Sequence, residues 1–276
     1  MTKLYKGLSR SYLFVPGDRP DRFAKALASG ADTVIVDLED AVAPVNKEQA
    51  RQLVADYPFA AHSICLRING TATAWYAEDQ KLCALPGVNS VMLPKVESAS
   101  QVERLAALVP AAVPILPFIE TAQGYWHMQE IAAAGRVQRL VFGTLDFLLD
   151  LGMSVTGEEL NSVRLQMVIA SRVAGIVPPI DGVTQDIKDL EGLKSDSLRA
   201  RRLGFGGKTC IHPSQVEIVN TCFSYTEVEL AWARKVVDAA AAARGAVISL
   251  DGKMIDRPVI EQARVILEQT KGNIKG

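Results

Sequence analysis

Short, almost wholly apolar runs recur along this chain, and between them apolar residues fall at helical spacing. The runs are SYLFV (11–15), TVIVD (33–37), SICLRI (63–68), SVMLP (90–94), PILPFIE (114–120), RLVFG (139–143), GIVPPID (175–181) and GKTCI (207–211). Continuous rather than alternating apolar character fits strands covered on both faces. The intervening segments predict helices through Ala28, near 46–55, from Trp75 to Leu85, over ASQVERLAALV, from Tyr125 to Ala134, within the long stretch to Ala174, and over DSLRARRLG. Strand and helix thus alternate eight times, which predicts a closed parallel (β/α)₈ barrel. An open doubly wound sheet would need a glycine fingerprint. The nearest match, GFGGKT (204–209), fails as a P-loop because Arg202 stands where its first glycine belongs.

Beyond the eighth run, Thr226 and Glu229 have the spacing of a capping box and start a helix toward Arg244. A turn at Asp251-Gly252 and a last helix from about Pro258 follow. The expected organisation is a barrel over 1–222 and a C-terminal helical lid or oligomerisation arm over 223–276. That second part is too short to stand as a domain of its own.

The polar residues that close the apolar runs carry the candidate chemistry. In a TIM barrel the C-terminal strand ends share one mouth, where catalysis sits. Asp37, Arg67, Lys95, Glu120, Asp146, Asp181 and His212 occupy such ends. Glu120 and Asp146 follow adjacent strands, so their carboxylates can approach. Two close carboxylates repel unless a positive group lies between them. Mg²⁺ suits such a pair, with Mn²⁺ as a possible substitute, because waters and substrate can complete its octahedron. A salt-bridged acid and a helix cap explain the pair equally well. Arg67 emerges from an apolar strand and needs an anion, either a substrate carboxylate or an internal acid such as Asp37. Glu39 and Asp40 offer further acids. Lys95 can pair with Glu97 or face the cavity. Arg22 and Lys25 share a helix face and can bind phosphate or simply meet solvent. His127 and Glu130 read as structural.

Composition narrows the picture. The 276 residues suit one barrel with an appendage, and a net charge of -1 offers no basic field for nucleic acid or anionic membrane. No apolar run is long enough to span a membrane, and MTKLYKGLSRSYLF lacks a signal peptide's apolar core, so a cytoplasmic location is expected. Cys65, Cys83, Cys210 and Cys222 form no metal spacing and read as buried reduced thiols.

Taken in order, RSYLFVPGD, VIVDLEDAV, LRIN, LPKVES, IETAQG, FGTLDFLLDLG, IDGVTQDIKDLEGL, GFGGKTCIHPSQVEIVN and LDGKMIDRPV resemble the citrate lyase beta-subunit-like branch of the HpcH/HpaI aldolase superfamily, over roughly residues 9–270. The resemblance implies a TIM barrel, Mg²⁺, and carbon–carbon lyase chemistry on acyl-coenzyme A thioesters. It implies Glu120 and Asp146 as metal ligands, Arg67 as the arginine facing the substrate carbonyls, and Asp256 as a lid aspartate that reaches a neighbouring subunit's site in several relatives. Phe14, Arg22, Lys25, Ile211 and His212 match the region that meets coenzyme A, with Asp37 and Glu39 behind the site. The expected partners are an acyl-CoA, a 2-oxo acid and further copies of the chain, as a trimer or hexamer. Many citrate lyase beta subunits read GAED where this chain reads Gly143-Thr144-Leu145-Asp146. That loss of a glutamate points toward citramalyl-CoA or malyl-CoA, with citrate lyase beta subunit and a non-catalytic acyl-CoA-binding subunit as alternatives.

Overall fold

The computed structural model describes residues 8–154, 157–242, 248–250 and 253–270. Two compact units divide the chain: Ser9–Phe223, and Ser224–Gly276 together with Met1–Leu8. Arg244, Asp251 and Gly252, at the expected helix end and turn, lie outside the described residues.

In the first unit, β1 (Ser11–Pro16), β2 (Thr33–Asp37), β3 (Ile64–Arg67), β4 (Val88–Leu93), β5 (Ile115–Ile119), β6 (Val141–Phe142), β7 (Ile180–Asp181) and β8 (Gly207–Cys210) pair in sequence order. Every pairing is parallel, and β1 also pairs with β8, so the sheet closes as a TIM barrel. The connecting helices are α1 (Pro20–Leu27), α2 (Lys47–Asp56), α3 (Tyr76–Leu82), α4 (Ala99–Leu108), α5 (Ala122–Trp126), α6 (Met128–Ala133), α7 (Thr144–Asp150), α8 (Asn161–Ala174), α9 (Leu190–Leu203) and α10 (Val216–Cys222). The single helix expected from Tyr125 to Ala134 is two, parted at His127.

Two apolar layers follow from the strand's period of two. Tyr12, Ile35, Cys65, Met92, Leu116, Phe118, Val141 and Ile180 fill the barrel interior. Their neighbours Leu13, Val36, Leu66, Val91, Ile119 and Phe142 belong to the larger cluster between sheet and helices. At the N-terminal end of the strands the fully buried Arg139 donates to the carbonyls of Ser9 and Pro178 and to the Tyr12 hydroxyl. All four cysteines are buried and unbridged, and burial pushes the Cys65, Cys83 and Cys210 thiols up to about 12.

Strand parity corrects one sequence expectation. Ile180 points inward, so Asp181 faces the helices rather than the mouth. There Arg164 Nε of α8 donates to it at 2.9 Å, and Lys208 Nζ of β8 lies 3.3 Å away. Burial alone would raise the Asp181 carboxyl, but Lys208 and Arg164 outweigh it and hold the group below its ordinary value. A depressed folded-state pKa means that the unfolded chain binds the proton more readily. The stabilisation is therefore present above about pH 4 and disappears as pH falls through the folded pKa. Asp181→Asn leaves two buried cations without their anion, so it should cost about 3–5 kcal/mol at pH 7. Urea unfolding should show this loss at pH 7 and a smaller one near pH 3. Equal stability at pH 7 would refute it.

The second unit joins α11 (Glu227–Ala242), the antiparallel pair β9 (Ile248–Leu250) and β10 (Lys253–Ile255), and α12 (Arg257–Thr270). Thr226 accepts from Glu229 N at 3.2 Å while Glu229 Oε2 accepts from Thr226 N at 2.7 Å, the expected capping box. Leu230, Ala233, Val236, Ile255, Ala263 and Ile266 form its core. Among the described residues no helix is long and apolar enough to cross a membrane.

Candidate active site

Inward parity at the last position of β2 and β3 brings Asp37 and Arg67 together, register partners on adjacent strands. Arg67 Nε and Nη2 donate to the two Asp37 oxygens, both at 2.6 Å. Its Nη1 lies 2.8 Å from Glu39 Oε2 and 3.9 Å from Asp40. The Phe14 ring stacks beneath, 4.7 Å from Cζ. Burial would lower the Arg67 pKa, but Asp37 and the other acids raise it further, so the guanidinium stays charged. Asp37 also accepts from the backbone N–H of Glu39 and Ala41, at 2.9 and 3.2 Å. The arginine is thus braced on one edge, which fixes the direction of the other.

Glu120 follows β5 and is 1% exposed. Its Oε1 accepts from Lys95 N at 2.6 Å. Burial first, then Glu39 and Asp146, push its carboxyl up to about 8 against the opposing effect of Lys95. Gly143 makes room for this side chain: a Cβ there would stand 2.5 Å from Glu120 Oε2. Asp146 sits in the first turn of α7 rather than on a strand end. That helix is fastened to the Glu120 loop, because Asp150 Oδ2 accepts from Ala122 N at 2.7 Å and Tyr125 packs on Phe147. Leu145, exposed, occupies the position preceding Asp146 on α7.

Lys95 Nζ donates to Glu39 Oε1 at 2.7 Å, so its partner is Glu39 rather than Glu97. Burial raises Glu39, with Arg67 and Lys95 opposing. Behind these groups lies a network that sequence reasoning missed. The buried Lys47 donates to the carbonyls of Leu38 and Glu39, both at 2.7 Å, and to Asn69 Oδ1 at 2.8 Å. Asn69 in turn donates to the fully buried Asp79 at 2.6 Å. The asparagine of LRIN was the one available signal.

The other expected residues are more dispersed. Arg22 and Lys25 are exposed on α1. Ile211 is half-exposed, and its N–H donates to Gln215 Oε1 at 2.9 Å. His212 Nδ1 accepts from Ser214 N at 3.2 Å. Asp256 belongs to the second unit, where it accepts from Val259 N at 3.2 Å at the start of α12.

A TIM barrel whose mouth gathers buried carboxylates around one braced arginine defines the class. The sequence model of the HpcH/HpaI aldolase/citrate lyase family matches residues 10–213, and that of a C–C bond lyase of the TIM-barrel fold matches 170–272. The chain therefore belongs to the HpcH/HpaI aldolase/citrate lyase family, a family of lyases. A citrate lyase subunit beta-like protein of Mycobacterium tuberculosis is 38% identical over 94% of each chain. A (3S)-malyl-CoA thioesterase of Cereibacter sphaeroides is 36% identical over 95% of this chain and 94% of that one. An L-malyl-CoA/beta-methylmalyl-CoA lyase of Rhodobacter capsulatus is 34% identical over 96% and 95%. The solved structure of the CitE protein of Mycobacterium tuberculosis with magnesium, acetoacetate and coenzyme A superposes with a TM-score of 0.84, at 36% identity, covering 96% of this chain and 99% of that one.

Proposed function

We propose that this protein is a Mg²⁺-dependent lyase that reversibly cleaves a 3-hydroxyacyl-CoA, citramalyl-CoA or malyl-CoA, into acetyl-CoA and pyruvate or glyoxylate. The observation that carries the reading is Glu120, a carboxylate 1% exposed just after β5, whose carboxyl is pushed up by burial first and then by Glu39 and Asp146. Such accumulated negative charge calls for a cation. Glu120 and Asp146 would hold Mg²⁺, which takes one or two carboxylates and leaves positions for water and substrate. When bound, the ion acts as a Lewis acid on the oxygens of the hydroxy acid portion. The Mg²⁺ and coenzyme A bound by the CitE neighbour, and the malyl-CoA named for two relatives, support the same substrate class.

The chain's own residues would do the rest. The hydroxyl loses its proton to water as its carbon becomes the oxo acid's carbonyl, the bond from that carbon to the thioester's α-carbon breaks, and the electron pair passes to the thioester as an enolate that regains one proton at the α-carbon. The free edge of Arg67 would meet the enolate oxygen, prepaid in orientation by Asp37 and Glu39. Asp256, assigned by the resemblance, would exchange a proton with the acetyl carbon as general acid/base. Phe14, Arg22, Lys25, Ile211 and His212 would meet coenzyme A. The C-terminal segment would serve as lid and oligomerisation arm.

The test is direct. Purified protein, Mg²⁺ and acetyl-CoA are incubated with pyruvate or with glyoxylate, and products are followed by mass spectrometry. Citramalyl-CoA or malyl-CoA is the expected product, and which oxo acid reacts sets the substrate. The two differ by one methyl, worth about 1–3 kcal/mol of discrimination. No adduct with either acid, while acetyl-CoA still binds, would overturn the stand-alone lyase.

A further inference from the structure

Lys95 has a backbone that its side chain does not explain. Its φ is +50°, and only one other non-glycine residue has positive φ among the described residues. Such a conformation is disfavoured for an L residue and persists where surrounding contacts over-determine it. The other case, Arg136 at φ +71°, has a local account. Its guanidinium donates to the carbonyls of Ala106, Val109, Pro110 and Val113 at the end of α4. At Lys95 the contacts run to the site instead. The left-handed turn after β4 aims its N–H at Glu120 Oε1, 2.6 Å away. The same residue's Nζ reaches Glu39 Oε1 at 2.7 Å, and the other Glu39 oxygen lies 2.8 Å from Arg67 Nη1 as an ion pair without hydrogen-bond geometry.

We propose that Lys95 is a positioning residue with two separable functions: its strained backbone sets the Glu120 carboxylate, and its side chain, through Glu39, sets the free edge of Arg67. This rests on the reading of Glu120 as a metal ligand and deepens it. The geometry behind it is economical in reach. Glu120 directly, and Arg67 through Glu39, are both tied to one residue that belongs to neither of their strands. A partner behind a metal ligand commonly changes metal affinity about 10–100-fold when removed. A β-branched residue at 95 resists φ near +50° and would draw the N–H away from Glu120, whereas glycine adopts that φ freely and keeps the N–H.

The experiment uses the full-length protein and Mn²⁺ as the probe, with binding read by electron paramagnetic resonance. Glu120→Gln serves as control and should lose Mn²⁺ binding. Lys95→Val should weaken Mn²⁺ about 10–100-fold. Lys95→Gly should bind it as the wild type does, which shows that the site tolerates loss of the side chain. The second function is read from the Arg67 Nε–Hε nuclear magnetic resonance signal, assigned by its disappearance in Arg67→Lys. It should shift in Lys95→Gly and return to its original position in Lys95→Arg. Unchanged Mn²⁺ affinity in Lys95→Val, with binding lost in Glu120→Gln, overturns the backbone function while the metal reading stands. Retained Mn²⁺ binding in Glu120→Gln sinks the metal reading itself. An Arg67 signal indifferent to Lys95→Gly overturns the side-chain function whichever way the metal results fall.

Discussion

Glu120→Gln and Asp146→Asn should each remove Mg²⁺-dependent turnover by a factor of about 10³ or more, with little loss of stability. Polarisation by a bound cation supplies several kcal/mol of transition-state stabilisation, and each 1.36 kcal/mol is tenfold in rate. The amide of glutamine can still accept the hydrogen bond from Lys95 N, so the loop after β5 keeps its anchor. The substitution also removes a carboxyl that burial first, then Glu39 and Asp146, pushes up to about 8. Glu120→Gln should therefore unfold at the wild-type temperature or above it. Asp146 stands at a helix start already fixed by Asp150 and Phe147, so its amide variant also keeps its frame. Steady-state turnover over a range of Mg²⁺, alongside thermal unfolding, separates a lost cation site from a lost fold. Wild-type turnover by either variant, or turnover unaffected by chelator, would rule out the metal site.

How much of this site could be read along the chain depended on parity and on local backbone. The unbroken apolar runs of β1 to β5 marked the strands, but left the anion for Arg67 open between a substrate carboxylate and an internal acid such as Asp37; the register of β2 with β3 supplies Asp37. Around Pro178 and Pro179 the signal fails: β6 and β7 have two residues each, too few to show alternation, and Asp181 was placed on the wrong face. Asp146, expected to end a strand beside Glu120, sits instead in the first turn of a helix capped by Gly143. Lys47, Asn69 and Asp79 are remote from any motif that carries chemistry, and only packing shows that they hold the loop after β2. Lys95 lay inside a quoted motif, yet its left-handed backbone has no sequence signature, since lysine has no preference for that region.

Arg67→Lys should lower kcat/KM about 10²–10³-fold although charge is conserved. The reason lies in the geometry of the guanidinium. Two of its nitrogens hold Asp37 at 2.6 Å, the third lies 2.8 Å from Glu39, and the remaining N–H groups are fixed in the same plane. An ammonium is a point charge, and it can follow either Asp37 or Glu39 but cannot brace against both and still present a fixed donor. Asp37 keeps the Glu39 and Ala41 N–H groups, so the variant should fold with a loss of about 1–3 kcal/mol. The loss should fall mainly on kcat, because an interaction made with the developing enolate is absent from the ground state. Asp37→Asn gives the complementary result: the arginine remains but loses its charged brace, and the rate should fall less than in Arg67→Lys. Measured kcat and KM for the acyl-CoA that the wild type cleaves decide between them. If Arg67→Lys retained wild-type kcat, with only KM raised, the arginine would be a binding group and the enolate would have to be stabilised elsewhere.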